Sequence, residues 1–150
     1  MLIELCVDNT RITELAPLSY DTPIGPETAL VAPAGGEFAE VAANAREVLR
    51  ARTGVELPLL DGEALFTAEA LPAHLIAIGH AGANRLLRRL HYLGFLNDED
   101  YAREGLQVTS IHGPLGDGRN VLAALGATPE VAAASVGRLV DLLTEDDGGW

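Results

Sequence analysis

The chain has 150 residues, the size of a single domain, and can bury a hydrophobic core without disulfides. Its 48% hydrophobic and 21% charged residues are typical of a globular protein, which excludes a disordered tail, a collagen-like repeat and a disulfide scaffold. The net charge is −12 and every basic residue is an arginine. So acidic a surface repels phosphate, and we expect no nucleic-acid partner.

The only cysteine, Cys6, cannot form an internal disulfide, and its place in an alternating run predicts a small buried side chain. A reactive thiol is the alternative. No run reaches the roughly 18 apolar residues of a membrane helix, so no membrane partner is expected. The first residues lack the basic and apolar regions of a signal peptide. We therefore expect a soluble chain that is not exported, although a chain whose leader had been removed would look the same.

The first part of the chain predicts two strands joined by a long connection. Residues 2–7 alternate between apolar and polar side chains, as a half-buried strand does. Residues 8–28 are rich in Asp, Thr, Pro and Gly and form the connection. Residues 29–33 are an apolar run that ends in Pro33 before two glycines, which predicts a buried strand entering a turn.

An amphipathic helix is predicted over residues 37–52. Its apolar residues recur at helical spacing, its acidic residues come early and its arginines late, and Gly54 follows as a stop. Residues 55–60 are then a short extended piece. Pro58 places this piece at a sheet edge, because proline cannot donate to a neighbouring strand.

The middle of the chain predicts a buried strand over residues 75–78 and a helix over residues 84–93 with a stripe of leucines. The connection between them is Gly79-His80-Ala81-Gly82-Ala83-Asn84. Its small residues could direct backbone N–H groups at an anion. It lacks the glycine spacing of a dinucleotide loop and the Gly-Lys-Ser/Thr of a P-loop. A tight strand-to-helix turn capped by Asn84 is the simpler interpretation.

The last part predicts two strands and a helix. Residues 97–104 are an acidic loop without the spacing of a calcium-binding loop. Residues 106–111 and 120–125 are strands joined by a glycine-rich turn. Residues 129–143 are a helix, with Thr128 in the N-cap position.

Strands that alternate with helices predict an α+β domain, close to the α/β class. We expect a mixed β-sheet of about five to six strands with two to three helices packed on one face. The predicted organisation is an N-terminal strand and proline-rich connection over residues 1–28, the α+β domain over residues 28–144, and a tail or linker start over residues 145–150.

Nothing in the sequence forms a complete catalytic site. His80 and His112 each follow an apolar strand, so both could lie at one sheet edge if those strands were parallel. A metal or acid–base site would need such convergence with a carboxylate, and no two histidines share a helix face at ligand spacing. We therefore expect no metal ion and no cofactor. The candidate ligand-binding residues are Gly79, His80, Gly82, Asn84 and His112.

Several short motifs resemble a recurring module of carbohydrate-active enzymes. In chain order they are Thr53-Gly54-Val55-Glu56-Leu57-Pro58 after a helix, Gly94-Phe95-Leu96 before Asp100-Tyr101 and Gly105, Gly118-Arg119-Asn120-Val121, and Leu125-Gly126 before the last helix. Their order over residues 28–144 is similar to the N-terminal, non-catalytic α+β domain of β-hexosaminidases and α-glucuronidases. One departure is the last helix, which usually contains an aromatic residue in the family but here is rich in alanine and contains Gly137.

The resemblance implies a non-catalytic accessory domain of a glycoside hydrolase or other polysaccharide-degrading enzyme. Its partners would be a downstream catalytic domain of the same polypeptide and possible carbohydrate ligands, and no catalytic residue carries over onto this chain. One alternative is a stand-alone domain that binds a small molecule or anion at the Gly79–Asn84 turn. Another is a small enzyme that uses His80 or His112. A large exposed apolar patch would favour the accessory domain.

Overall fold

The computed structural model describes residues 24–33, 35–62, 72, 74–97, 107–116 and 118–145. The strands are β1 (Thr28–Val31), β2 (Leu59–Leu60), β3 (His74–Gly79), β4 (Gln107–Ile111) and β5 (Val121–Leu125). The helices are α1 (Ala39–Thr53, entered through a 3-10 turn at Gly36–Phe38), α2 (Arg85–Tyr92) and α3 (Pro129–Glu145). The predicted strand at residues 2–7, with Cys6, and all but Asn97 of the acidic loop lie outside the described residues.

The five described strands form one sheet in the order β2-β1-β3-β5-β4. β2, β1, β3 and β5 run parallel, and β4 pairs antiparallel with β5 at one edge. β2 lies at the other edge, as Pro58 predicts, and the Pro58 carbonyl accepts a hydrogen bond from the Leu30 N–H at 2.9 Å. The predicted mixed sheet and the α+β class are confirmed.

The central strands are buried on both faces, so each face has its own helical cover. α1 and α3 pack on one face and α2 packs on the other. The expectation that the helices pack on one face therefore holds for α1 and α3, whereas α2 differs. The reason is that β1, β3 and β5 direct apolar side chains to both faces of the sheet, so both faces must be shielded from water. The first face carries Leu30, Ile76 and Leu122, and the second carries Ala29, Leu75 and Val121.

α2 has eight residues, too few to be stable as an isolated helix in water. Its stability comes from the sheet, because Leu86, Leu87 and Leu90 are fully buried against the second face. Burying a leucine side chain contributes about 1.5–3 kcal/mol. The helix is therefore held by its apolar side and by its N-cap, Asn84, which also forms part of the site described below.

The first turn of α3 lies directly against the end of β5. A Cβ on Gly126 would lie 2.3 Å from the Ala132 nitrogen and 2.7 Å from the Val131 carbonyl carbon. The Gly126 N–H donates to the Gly79 carbonyl at 3.0 Å, which extends the pairing of β5 with β3. Only glycine lets the helix backbone approach the strand this closely. In the described part of the chain, no helix is long and apolar enough to cross a membrane.

Candidate functional site

The carboxyl ends of the four parallel strands meet at one edge of the sheet, where open α/β sheets bind ligands. The chain direction across the sheet reverses between β1 and β3. β1 leads through α1 to β2 on one side, and β3 leads onward to β5 on the other. The crevice between β1 and β3 is therefore the expected ligand position, and the Gly79–Asn84 turn lies there.

Asn84 occupies this crevice and is fully buried. Its Nδ2 donates to the Val31 carbonyl at 2.9 Å and to the Ile78 carbonyl at 3.0 Å. Its Oδ1 accepts from the Leu86 N–H at 2.9 Å and the Leu87 N–H at 3.4 Å. One amide thus caps α2, as predicted, and also joins the ends of β1 and β3. Both donors and the acceptor of Asn84 serve the fold.

The backbone of the turn is folded back on His80. The Gly82 N–H donates to His80 Nδ1 at 3.1 Å, and the His80 carbonyl accepts from the Ala83 N–H at 3.1 Å and the Asn84 N–H at 2.9 Å. Arg88 closes the other side by donating to the Ala81 carbonyl through Nε and to the Gly82 carbonyl through Nη2, both at 2.9 Å. An anion would have to displace His80 from these N–H groups. Ligand binding at the turn stays a prediction.

Phe38 covers the end of β3 from the side of α1. Its ring meets the His80 ring edge-on, with centroids 5.4 Å apart, and it is 5% exposed. Gly79 has a φ of +107°, and a Cβ there would lie 3.5 Å from the Phe38 ring. The left-handed backbone of Gly79 therefore lets the strand turn beneath Phe38 into the connection.

His112 does not join the other candidate residues. β4 is antiparallel, so Ile111 pairs with Val121, which in turn pairs with Leu75 at the start of β3. His112 follows Ile111 and lies at the opposite end of the sheet from His80, where its Nε2 is 3.3 Å from Ser110 Oγ. The condition for a shared histidine site, parallel strands, is not met. Among the described residues, no three His, Cys, Asp or Glu side chains are placed to hold a metal ion.

The opposite end of the sheet holds a polar contact that the sequence analysis missed. The buried Asn120 donates its N–H to His74 Nδ1 at 3.2 Å and accepts from the Gly113 N–H through Oδ1 at 3.1 Å. Burial, and then the positive charge of Arg119, lower the pKa of His74 below its ordinary value of 6.5. His74 is therefore a neutral acceptor that links β3 to the start of β5.

We expect the free energy of unfolding to fall as the pH drops below about 6.5. The reason is that His74 then binds a proton in the unfolded chain but stays unprotonated in the folded one. Protonated Nδ1 cannot accept from Asn120. Chemical unfolding from about pH 8 to about pH 5 measures the effect. The His74→Gln variant should lose this part of the pH dependence, and His91→Gln, the matched control, should keep it. Identical slopes for the parent chain and His74→Gln would contradict the assignment.

A groove of about 350 Å³ runs between α1 and α3 on the outside of the domain. Its walls are mostly apolar, and Val48 is 42% exposed in it. Its charged groups are all carboxylates, near the first turns of the two helices. The lining residues are Val41, Asn44, Ala45, Val48, Pro129, Ala133, Val136 and Gly137, with Glu37, Glu40 and Glu130 at the acidic end.

The outer surface of α2 has the opposite character. Arg85, Arg88 and Arg89 line it together with Tyr92 and Leu93. Tyr92 is 81% exposed, and Leu93 and Phe95 are also exposed large side chains. The chain therefore has an acidic apolar groove on one face and a basic apolar surface on the other.

No model of a known protein family matches the chain, and no curated protein matches it. Among solved structures, CpGH84D, a glycoside hydrolase family 84 protein, matches with a TM-score of 0.57 and 18% sequence identity. The match covers 90% of this chain and 21% of that protein, so this chain corresponds to about a fifth of its length. At this identity the likeness shows the fold.

Proposed function

We propose that the chain is a non-catalytic accessory domain of a glycoside hydrolase or other polysaccharide-degrading enzyme, packed on a catalytic domain of the same polypeptide. The observation that carries the proposal is the likeness to a segment of a glycoside hydrolase family 84 protein that takes up a fifth of its length. The motifs over residues 28–144 support it from the sequence side, since they resemble the N-terminal, non-catalytic domain of β-hexosaminidases and α-glucuronidases.

The exposed apolar surfaces also support this proposal. Tyr92, Leu93 and Phe95 lie within four positions at the end of α2, and Val48 is exposed between α1 and α3. Clustered apolar side chains in water are typical of a surface that another protein or domain covers. Such surfaces are expected on a domain that packs against a catalytic domain.

The polar groups at the carboxyl edge favour a structural role over ligand binding. Asn84 uses its donors and acceptor within the fold, and three N–H groups of the turn donate to His80. Glycoside hydrolysis needs two carboxyl groups placed on either side of the scissile bond. On this proposal, that pair belongs to the downstream domain, and the present chain supports the domain that carries it.

The test begins with the codons that follow Trp150. We expect an open frame that encodes a further domain. The full polypeptide, the downstream part alone and the 150-residue chain are then compared on a panel of chromogenic glycosides. The full polypeptide and the downstream part should hydrolyse a glycoside, and the 150-residue chain should hydrolyse none. A stop codon directly after Trp150, or hydrolysis by the 150-residue chain itself, would contradict the proposal.

A further inference from the structure

We infer that the groove between α1 and α3 is the surface on which the downstream domain docks, and that the docking segment presents an apolar side chain flanked by lysine or arginine. The inference rests on the proposed function, which supplies the partner, and adds the place and the chemistry of the contact. Three features of the groove support the inference: its direction, the absence of a side chain at Gly137, and its negative charge.

The groove has a defined direction. α1 follows β1 and α3 follows β5, these strands are parallel, and both helices return along the same face, so both begin at the carboxyl edge of the sheet. Glu40 and Glu130 therefore lie at one end, and Val48 and Gly137 lie about two helical turns further along. A segment that fits this groove is charged at one end and apolar at the other.

The groove is lined at Gly137 by a residue without a side chain. Glycine is unfavourable inside a helix compared with alanine, and here a Cβ would meet no atom within 4 Å. No contact in the described part of the domain requires a glycine at this position. Ala133 lies one turn earlier along the same wall. Together the two small residues leave room for a large apolar side chain or a second backbone, which would also cover Val48.

The charge of the groove selects the partner. Its lining holds three glutamates and, among the described residues, no basic side chain. Hydrogen bonds from its own backbone N–H and from Thr128 lower the pKa of Glu130, so it stays ionised. A basic flank would complement this end. The outer surface of α2 in a second copy is also basic, so a second copy is the competing occupant, but the proposed function supplies a separate domain. A separate domain is therefore the favoured occupant.

Hydrogen exchange of the full polypeptide and of the 150-residue chain tests the inference. Residues 41–48 and 133–137 should exchange more slowly in the full polypeptide than in the 150-residue chain. The Gly137→Leu variant fills the groove, and exchange over residues 41–48 should return to the rate of the 150-residue chain. Ala134→Leu, the control, places the same leucine side chain on an exposed position of α3 outside the groove and should keep the protection. Leucine is a much better helix former than glycine and only slightly worse than alanine, so in the 150-residue chain Gly137→Leu should unfold at no lower temperature than the parent and Ala134→Leu at nearly the same temperature.

Charge reversal tests the flank. Glu40→Arg should abolish the protection of residues 41–48 in the full polypeptide, and Glu47→Arg, on the same helix but outside the groove, should keep it. Protection unchanged in Glu40→Arg would overturn the basic flank.

The outcomes separate the inference from the proposed function. Protection at residues 85–93 in place of the groove would leave the accessory domain standing and overturn the groove as its docking surface. Protection that rises with the concentration of the 150-residue chain alone, together with association in sedimentation, would make a second copy the occupant and overturn the inference. A stop codon after Trp150 would remove the proposed function and its docking partner together.

Discussion

Replacing Asn84 with aspartate should destabilise the domain by about 3 kcal/mol or more at neutral pH and restore part of that stability in acid. The carboxylate can still accept from the Leu86 and Leu87 N–H groups, but it cannot donate to the carbonyls of Val31 and Ile78. Those oxygens lie 2.9 and 3.0 Å from the present Nδ2. A buried charge beside two carbonyl oxygens is costly, and the site is fully buried.

The pH dependence follows from the same contacts. The Leu86 and Leu87 N–H groups lower the pKa of the new carboxyl, but full burial and the two carbonyl oxygens outweigh them, so we expect its pKa in the fold to lie above the unfolded value of about 3.9. The protonated form can donate one hydrogen bond. The variant is therefore least destabilised below the unfolded pKa and loses stability as the pH rises through the folded pKa.

Chemical unfolding of the variant and the parent across this range, compared as a difference, measures the effect. Asn84→Ala is the control without a charge, because it loses the bonds to the Val31 and Ile78 carbonyls and also the cap of α2, so its destabilisation should not vary with this titration. If Asn84→Asp proved as stable as the parent at neutral pH, the bonds to β1 and β3 would contribute nothing.

Gly126→Ala should destabilise the domain by about 3 kcal/mol, because the added methyl group meets the backbone of α3 and no flexible side chain can move aside. The Ala132 nitrogen lies 2.3 Å from the position that the new Cβ would take. The first turn of α3 would have to leave β5 and uncover the core beneath it.

Gly137→Ala makes the same chemical change inside α3, where the new Cβ meets open space, and is the control. It should stabilise the domain by about 0.5–1 kcal/mol. Calorimetry of both variants separates the effects, since about 1 kcal/mol shifts the melting temperature of a domain this size by about 2–4 °C. Equal melting temperatures would mean that α3 moves away from β5 at little cost.

The periodicity of the sequence predicts most of the described elements. The stripe of leucines gives α2, Gly54 ends α1 with a left-handed φ of +72°, and Pro58 marks the edge strand. We expected the helices on one face only, although the continuous apolar runs of β1, β3 and β5 are typical of strands that are buried on both faces. The short connection between β4 and β5 likewise indicates an antiparallel pair, since a parallel crossover needs a dozen or more residues. That signal separates His112 from His80.

Contacts between residues far apart in the chain could not be predicted from the sequence. Asn84 is recognisable as a helix cap, but its bond to Val31 spans 53 residues and depends on the strand order. His74 and Asn120 are 46 residues apart and meet only because β3 and β5 are neighbours. The groove beside Gly137 exists only once α1 and α3 share a face. The spacing of residues within one element does not predict which elements contact each other.

The position of Asn84 has a consequence for the order of folding. α2 and β3 are neighbours along the chain and can form early, whereas β1 lies more than 40 residues before them and pays a larger loop-closure entropy. The Nδ2 group gains both acceptors only when β1 has docked beside β3. We therefore expect this bond to form after the folding barrier, so that Asn84→Asp, which keeps the cap of α2, mainly accelerates unfolding and changes the folding rate little. The bonds of Asn84 to β1 and β3 then determine how slowly the folded domain unfolds.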